Sequence, residues 1–232
     1  MHRFLSDESF VPGRDLILSP EESHHLVRVL RIEQGQEVAV IDGRGHFALA
    51  DVIEARPKGS VVRVKEVRQS GARSRVQLCF GLPKGPALEF IIRRATEIGV
   101  VGFQPLATRY SLKLKEWNED RWGRILREVA KQCEELWLPT IHPAAVLSDW
   151  LAKRESGRML FFCDEADRGA LLGAISGECD LLVGAEGGWS DEERTAIHAA
   201  GAIRLGLGRN RLRAETAALA GAILLKHQLG EM

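Results

Sequence analysis

No two of the four cysteines stand at C-x-x-C spacing; Cys79, Cys133, Cys163 and Cys179 are scattered through the 232 residues. That scatter argues against a disulfide frame or a zinc site and for reduced thiols in a cytosol. Long apolar runs are missing as well. The longest, Ala217 to Leu225, suits a buried helix and falls well short of the roughly 20 residues a membrane span needs. The opening MHRFLSDESF has no apolar signal-peptide core, so a soluble, cytoplasmic protein with no membrane contact is expected. Net charge is absent too: 32 basic and 32 acidic residues cancel, and overall charge therefore names no polyanionic partner.

Several catalytic signatures are likewise missing. There is no G-x-x-x-x-G-K-[ST] phosphate loop, no H-E-x-x-H and no G-x-S-x-G elbow. The seven histidines show no ligand spacing, and no metal is expected. Gly43-Arg-Gly-His-Phe-Ala48 fits a dinucleotide fingerprint on paper, but a strand pattern follows it where a helix is required, so it reads as a hairpin turn.

What is present divides near residue 70. Before it lies a small β-rich unit. Ser19-Pro-Glu-Glu22 opens a capped helix that runs to Arg31. Strand patterns cover Glu37–Ile41, Phe47–Ile53 and Ser60–Val67, and together they suggest a compact barrel. Beyond a basic linker, apolar strands at Val76–Leu82, Val100–Leu106, Met159–Cys163, Asp180–Val183 and Ala202–Leu205 alternate with helix patterns, with a short helical segment expected between the third and fourth. This is an α/β class sequence with a parallel sheet. In the last helix, Glu215–Gln228, the run Ala217–Leu225 is apolar around its whole circumference; it is either a central core helix or one covered by a second subunit, and a homodimer is the favoured reading.

Charge is uneven along the neutral chain. Seven basic residues against one acid lie between Arg56 and Arg75, and four arginines without an acid between Arg204 and Arg213. These are either solvated faces or part of a nucleic-acid track.

Two glycine-bearing segments follow strands: Gly184-Ala-Glu-Gly-Gly188 and Leu205-Gly-Leu-Gly208, the latter running on to Leu212. Open α/β sheets hold their ligands at that end. Glu186, in the middle of the first loop, would repel a phosphate. A ligand with hydroxyls and a purine edge but no phosphate suits it better.

HHLVRVLR at 24–31, KGPALEFIIRRATEIGV at 84–100, RW at 121–122 with KQC at 131–133, GAEGG at 184–188 and LRAETAAL at 212–219 resemble, in order and spacing over nearly the whole chain, the 16S ribosomal RNA uridine-N3 methyltransferases of the SPOUT class. The resemblance implies a PUA-like RNA-binding barrel over 1–70 and a SPOUT methyltransferase domain over 75–232 that ends in a trefoil knot. It implies S-adenosylmethionine as cofactor, wrapped by three loops, Cys163–Asp164, Gly184–Gly188 and Leu205–Leu212, and held by Cys163, Gly184, Glu186, Gly187, Gly188, Leu205, Leu207, Gly208 and Leu212. It further implies 16S ribosomal RNA, or the small ribosomal subunit, as substrate, and a homodimer formed through the C-terminal knot.

Methylation at N3 leaves negative charge on the uracil carbonyls and a proton to remove. Arg213 is the candidate cation and Glu215 the candidate base; in the alternative reading the two only pair at the start of the terminal helix. Arg28, Arg31, Arg63, Lys65, Lys84 and Arg109 are the candidates for holding RNA. The chain departs from the family pattern at Asn210, usually arginine, at Arg211, usually aliphatic, at Ala185, usually proline, and at Glu135 and Trp137, often basic. The glycines and leucines of the cofactor loops remain. A non-catalytic RNA-binding factor and a nucleotide-dependent oxidoreductase are the competing readings.

Overall fold

The computed structural model of the chain describes residues 1–71, 73–164 and 175–232. The chain forms two compact units, Met1–Arg73 with Arg127–Leu138, and Ser74–Leu126 with Pro139–Met232. The segment 127–138 therefore packs with the first unit, although it follows the first strands of the second in sequence.

In the first unit, β1 (Arg3–Leu5), β2 (Asp15–Ile17), β3 (Glu37–Ile41), β4 (His46–Glu54) and β5 (Val61–Gln69) form one sheet in the order β1-β3-β4-β5-β2. Two register shifts between β4 and β5 bend the sheet around its apolar face. It is a half-barrel with β1 and β2 at its edges, built over Phe4, Leu16, Leu26, Val40 and Val62. Ser19 caps α1 (Pro20–His24), accepting a bond from the Glu22 amide at 3.2 Å. The helix then widens into a π-turn over His25–Val29, and Arg31, at φ 54°, ends it.

The hairpin turn between β3 and β4 is held by Asp42, whose carboxylate accepts from the amides of Arg44 and His46 at 2.7 and 3.0 Å. Gly45, at φ 91°, lies where a Cβ would come within 2.4 Å of the Trp137 ring, so only glycine fits. The Gly45 amide donates to the Leu136 carbonyl at 2.9 Å.

The second unit is a parallel sheet. Its strands are β6 (Val76–Gly81), β7 (Gly102–Ala107), β8 (Thr140–Ile141), β9 (Ala145–Val146), β10 (Met159–Cys163), β11 (Cys179–Val183) and β12 (Ile203–Leu205), ordered β12-β10-β11-β6-β7-β8 with β9 also on β7. Every pairing is parallel. Chain order reverses between β6 and β11, the topological switch point at which such sheets bind ligands. The short helix expected between β10 and β11 lies outside the described residues.

The helices are α2 (Ala87–Ile98), α3 (Glu119–Cys133), α4 (Leu147–Lys153), α5 (Asp191–Ala199) and α6 (Ala214–Gln228). The spacing of Leu88, Ile91, Ile92, Ala95 and Ile98 predicts one buried stripe on α2; the first four are buried and Ile98, at the helix end, is half-buried. α6 packs on α2 and over β6 and β11 through Ala214, Ala218, Gly221, Ala222 and Leu225. A Cβ at Gly221 would stand 2.9 Å from Leu181 Cδ2, so the small residue lets the helix lie close to the sheet. On its other side Ile223 is 43% exposed.

The end of α6 is fastened by polar contacts. Lys226, buried, donates to the Gly99 carbonyl at the end of α2 at 2.9 Å. Glu231 accepts from the Ser74 hydroxyl, the Arg75 amide and Arg75 Nε at 2.7, 3.0 and 2.9 Å.

Candidate functional site

A cleft of about 1460 Å³ opens in the second unit at the carboxyl ends of its strands. Its walls are the residues that follow β6, β10, β11 and β12, together with the start of α6. Eight of the nine sequence-predicted cofactor residues line it: Cys163, Gly184, Glu186, Gly188, Leu205, Leu207, Gly208 and Leu212. So do Lys84, Arg213 and Glu215.

The loop after β11 is a tight turn. The Gly188 amide donates to the Ala185 carbonyl at 2.8 Å, and Gly188 adopts φ 69°. A Cβ on Gly184 would lie 3.0 Å from the Gly188 backbone, so the chain closes on itself most readily without a side chain there. Gly187, the ninth predicted residue, is not on the cleft wall; a Cβ there would meet Tyr110 Cβ at 2.6 Å, and its smallness serves that packing.

Carboxylates that accept backbone amides tie the surrounding loops to this turn. Glu186 Oε1 accepts from the Lys84 amide, after β6, at 2.8 Å. Ser190 caps α5 in a reciprocal capping box with Glu193. Glu193 also accepts from the Arg109 amide, after β7, at 2.7 Å. Each bond satisfies an N–H that a loop would otherwise leave to solvent. Trp189 Nε1 donates to the Cys163 carbonyl at 3.0 Å and fixes the end of β10. Burial pushes the Cys163 thiol up to about 12, so it is a neutral group.

Arg213 is the N-cap residue of α6, and its side chain is 86% exposed. Its Nη1 lies 4.0 Å from Glu215 Oε1, and Glu215 is 20% exposed. This is an ion pair at its outer limit, and a solvent-exposed pair of this kind costs little to rearrange. Arg109 is exposed and contributes its amide, as above, outside the cleft wall.

Arg28, Arg31, Arg63 and Lys65 belong to the first unit and are exposed. Arg63 is paired with Asp15 through two bonds of 2.7 and 2.9 Å, and Lys65 with Glu37 and Asp51 at 3.0 and 3.3 Å. Arg56 and Arg68 pair with Glu54 and Glu66 at 2.9 and 2.7 Å. The basic run of the sequence is therefore threaded with carboxylates from neighbouring strand positions.

Sequence reasoning placed Asp164 beside Cys163 in a cofactor loop but missed its partner, and it missed Phe90. Asp164, buried at the end of β10, accepts from Arg194 of α5 at 3.2 Å, and both line the cleft. Phe90, off the buried stripe of α2, also lines it. Neither Arg194 nor Phe90 carries a local pattern, since each is defined by what the fold brings opposite it. Among the described residues no group of three or more His, Cys, Asp or Glu side chains is placed to hold a metal ion.

A switch-point cleft walled by glycine turns and carrying a carboxylate marks the second unit as a ligand-binding α/β domain whose cleft is ill suited to a phosphate. The comparisons agree and go further. Residues 70–226 match the family described as RNA methyltransferase domain, and residues 18–65 match the RNA methyltransferase PUA domain. A relative from Synechocystis, ribosomal RNA small subunit methyltransferase E, is 32% identical over 91% of this chain and 77% of its own length. A Legionella pneumophila protein solved with the bound cofactor SAM superposes with a TM-score of 0.86 at 25% identity, covering 97% of this chain and 96% of that one. The ribosomal RNA small subunit methyltransferase E of Neisseria gonorrhoeae, solved with S-adenosyl methionine, shares the fold at a TM-score of 0.90 and 23% identity, over 99% and 98% of the two chains. The chain belongs to the RNA methyltransferase family that contains these ribosomal RNA small subunit methyltransferases E.

Proposed function

We propose that this protein transfers a methyl group from S-adenosylmethionine to N3 of a uridine in 16S ribosomal RNA. The observation that carries the reading is the gathering of the predicted cofactor residues, Arg213 and Glu215 around one switch-point cleft, in a chain of this family.

The cleft fits the cofactor on its own chemistry. Its loops offer backbone groups and the apolar side chains of Leu205, Leu207 and Leu212, which suit an adenine. Only one oxygen of Glu186 is engaged by Lys84 at 2.8 Å, which leaves the other for ribose hydroxyls and gives the site a negative charge that favours a sulfonium and disfavours phosphates. When bound, S-adenosylmethionine supplies an electrophilic methyl group.

The chain's own residues do the rest. Arg213 approaches the uracil carbonyls, where negative charge develops as N3 attacks, and Glu215 accepts the N3 proton. Holding the base in line with the methyl group supplies much of the remaining acceleration. Arg28, Arg31, Arg63, Lys65, Lys84 and Arg109 hold the RNA backbone, with the PUA-type half-barrel as the gripping unit. For Arg63 and Lys65 this means exchanging a carboxylate partner for a phosphate, so their contribution depends on salt.

The reading extends to a trefoil knot at the chain end, to a homodimer in which a second copy covers the outer side of α6, and to a cytoplasmic location. Among the described residues no helix is long and apolar enough to cross a membrane.

Steady-state methyl transfer with Arg213→Ala and Glu215→Gln, beside binding of S-adenosylhomocysteine, tests the assigned roles. The expected result is a loss of kcat of at least about 100-fold for Arg213→Ala with product binding retained. Unchanged kcat would return the two residues to a pair that only starts the helix.

A further inference from the structure

One ring in the cleft has no part in the arrangement above. Phe90 lies off the buried stripe of α2, is 44% exposed and lines the cleft beside Lys84. A single exposed apolar side chain is ordinary on a protein surface, but two observations set this one apart from a stray residue. Arg94, one helical turn on, holds its guanidinium over the ring, 5.9 Å from the centroid. Glu97 in turn fixes that guanidinium, accepting from Arg94 Nη1 at 2.7 and 2.8 Å. Phe90, Arg94 and Glu97 thus form a ladder along one face of α2, an aromatic platform with an anchored cation.

Building on the methyl-transfer reading above, we propose that Phe90, backed by Arg94, is the stacking surface that takes up the target uracil once it is drawn out of the RNA. N3 lies on the Watson–Crick edge, so both the base pair and the stack are given up before methyl transfer, and restacking on the enzyme offsets that cost. Stacking uses the face of the base. The edge, with N3 and both carbonyl oxygens, stays open to Arg213 and Glu215, which line the same cleft. Phe90 also comes from the β6 side of the switch point, whereas the cofactor loops follow β10, β11 and β12. That separation leaves the ring for the RNA in this proposal, with the cofactor on the loops opposite. A phenylalanine ring cannot read the edge of a base, so its role is affinity for the extruded ring, not choice among bases.

The test is steady-state methyl transfer to small ribosomal subunits lacking the modification, with Phe90→Ala, Phe90→Leu and Phe90→Trp, beside S-adenosylhomocysteine binding and sedimentation. Phe90→Ala and Phe90→Leu are expected to lower kcat/KM roughly tenfold, within the range for losing one base–aromatic stack. Phe90→Trp is expected to keep the parent value, and all three to match the parent in product binding and sedimentation. A leucine variant as efficient as the tryptophan one would overturn the proposal, since packing alone would then suffice. Loss of product binding, or a changed sedimentation coefficient, that tracks the loss of activity would overturn it as well, by assigning the ring to the cofactor or to a subunit contact. A parent protein that transfers no methyl group would instead sink the underlying reading, and the proposal with it.

Discussion

Glu186 Oε1 accepts the backbone N–H of Lys84 at 2.8 Å, across 102 positions of sequence. The bond joins the loop after β11 to the loop after β6, the two strands between which chain order reverses. A glutamate in the middle of a glycine-rich turn thus has a structural task beside its electrostatic one. It closes one wall of the cleft and leaves a negative charge where a phosphate-binding loop would offer amides.

Replacing Glu186 separates these tasks. Glu186→Gln can still accept from Lys84 but loses the charge; Glu186→Ala loses both. Calorimetry with S-adenosylhomocysteine should show the alanine variant weakened by roughly tenfold, the scale of one hydrogen bond to a charged group, and the glutamine variant by less. Equal affinities in all three proteins would remove Glu186 from the cofactor site.

The C-terminal fastening gives stability a pH dependence. Burial by itself would raise the Glu231 carboxyl, but the bonds from Arg75 and Ser74, the Arg75 amide and the nearby Lys226 outweigh it and hold the group below the usual glutamate range. A carboxyl lowered on folding stabilises the native state fully above its unfolded pKa, and the contribution fades as pH falls through the folded value. Urea unfolding of Glu231→Gln should show about 1–3 kcal/mol less stability at pH 7, with the difference from the parent shrinking below about pH 4. A difference that stays constant with pH would contradict the assignment.

The raised Cys163 thiol carries its own expectation. With the group pushed up to about 12 by burial, almost none is thiolate at neutral pH, and the thiolate is the reactive form. Iodoacetamide at pH 7.5 followed by peptide mapping should label Cys133 before Cys163, although both are half-buried. Rapid labelling of Cys163 would show that the end of β10 opens in solution.

Much of the fold was legible because its signals are local. The Ser19 cap, the Asp42–Gly45 turn and the α2 stripe each lie within a dozen residues, and each forms as its pattern requires. The loops at Gly184–Gly188 and Leu205–Gly208 were legible for the same reason, as glycine-bearing segments after apolar strands, whereas Cys163 was reached only through the family resemblance. The strands β1, β2, β8 and β9 have two or three residues each, too short for a period to show, and they exist because neighbouring strands offer them a ladder. The terminal helix looked apolar all round, yet Lys226 is buried in it; the partner that makes this possible, the Gly99 carbonyl, is 127 positions away. The packing of 127–138 on the hairpin of the first unit, where Trp137 takes the space left by Gly45, was hidden in the same way.

The most direct test of the account is methyl transfer from labelled S-adenosylmethionine to small ribosomal subunits lacking the modification, with the methylated nucleotide then mapped. The account predicts one methyl group at N3 of a single uridine of 16S ribosomal RNA, lost with Arg213→Ala while product binding persists. A methyl group on another atom or another RNA, or no transfer by a protein that binds neither S-adenosylmethionine nor its product, would contradict it.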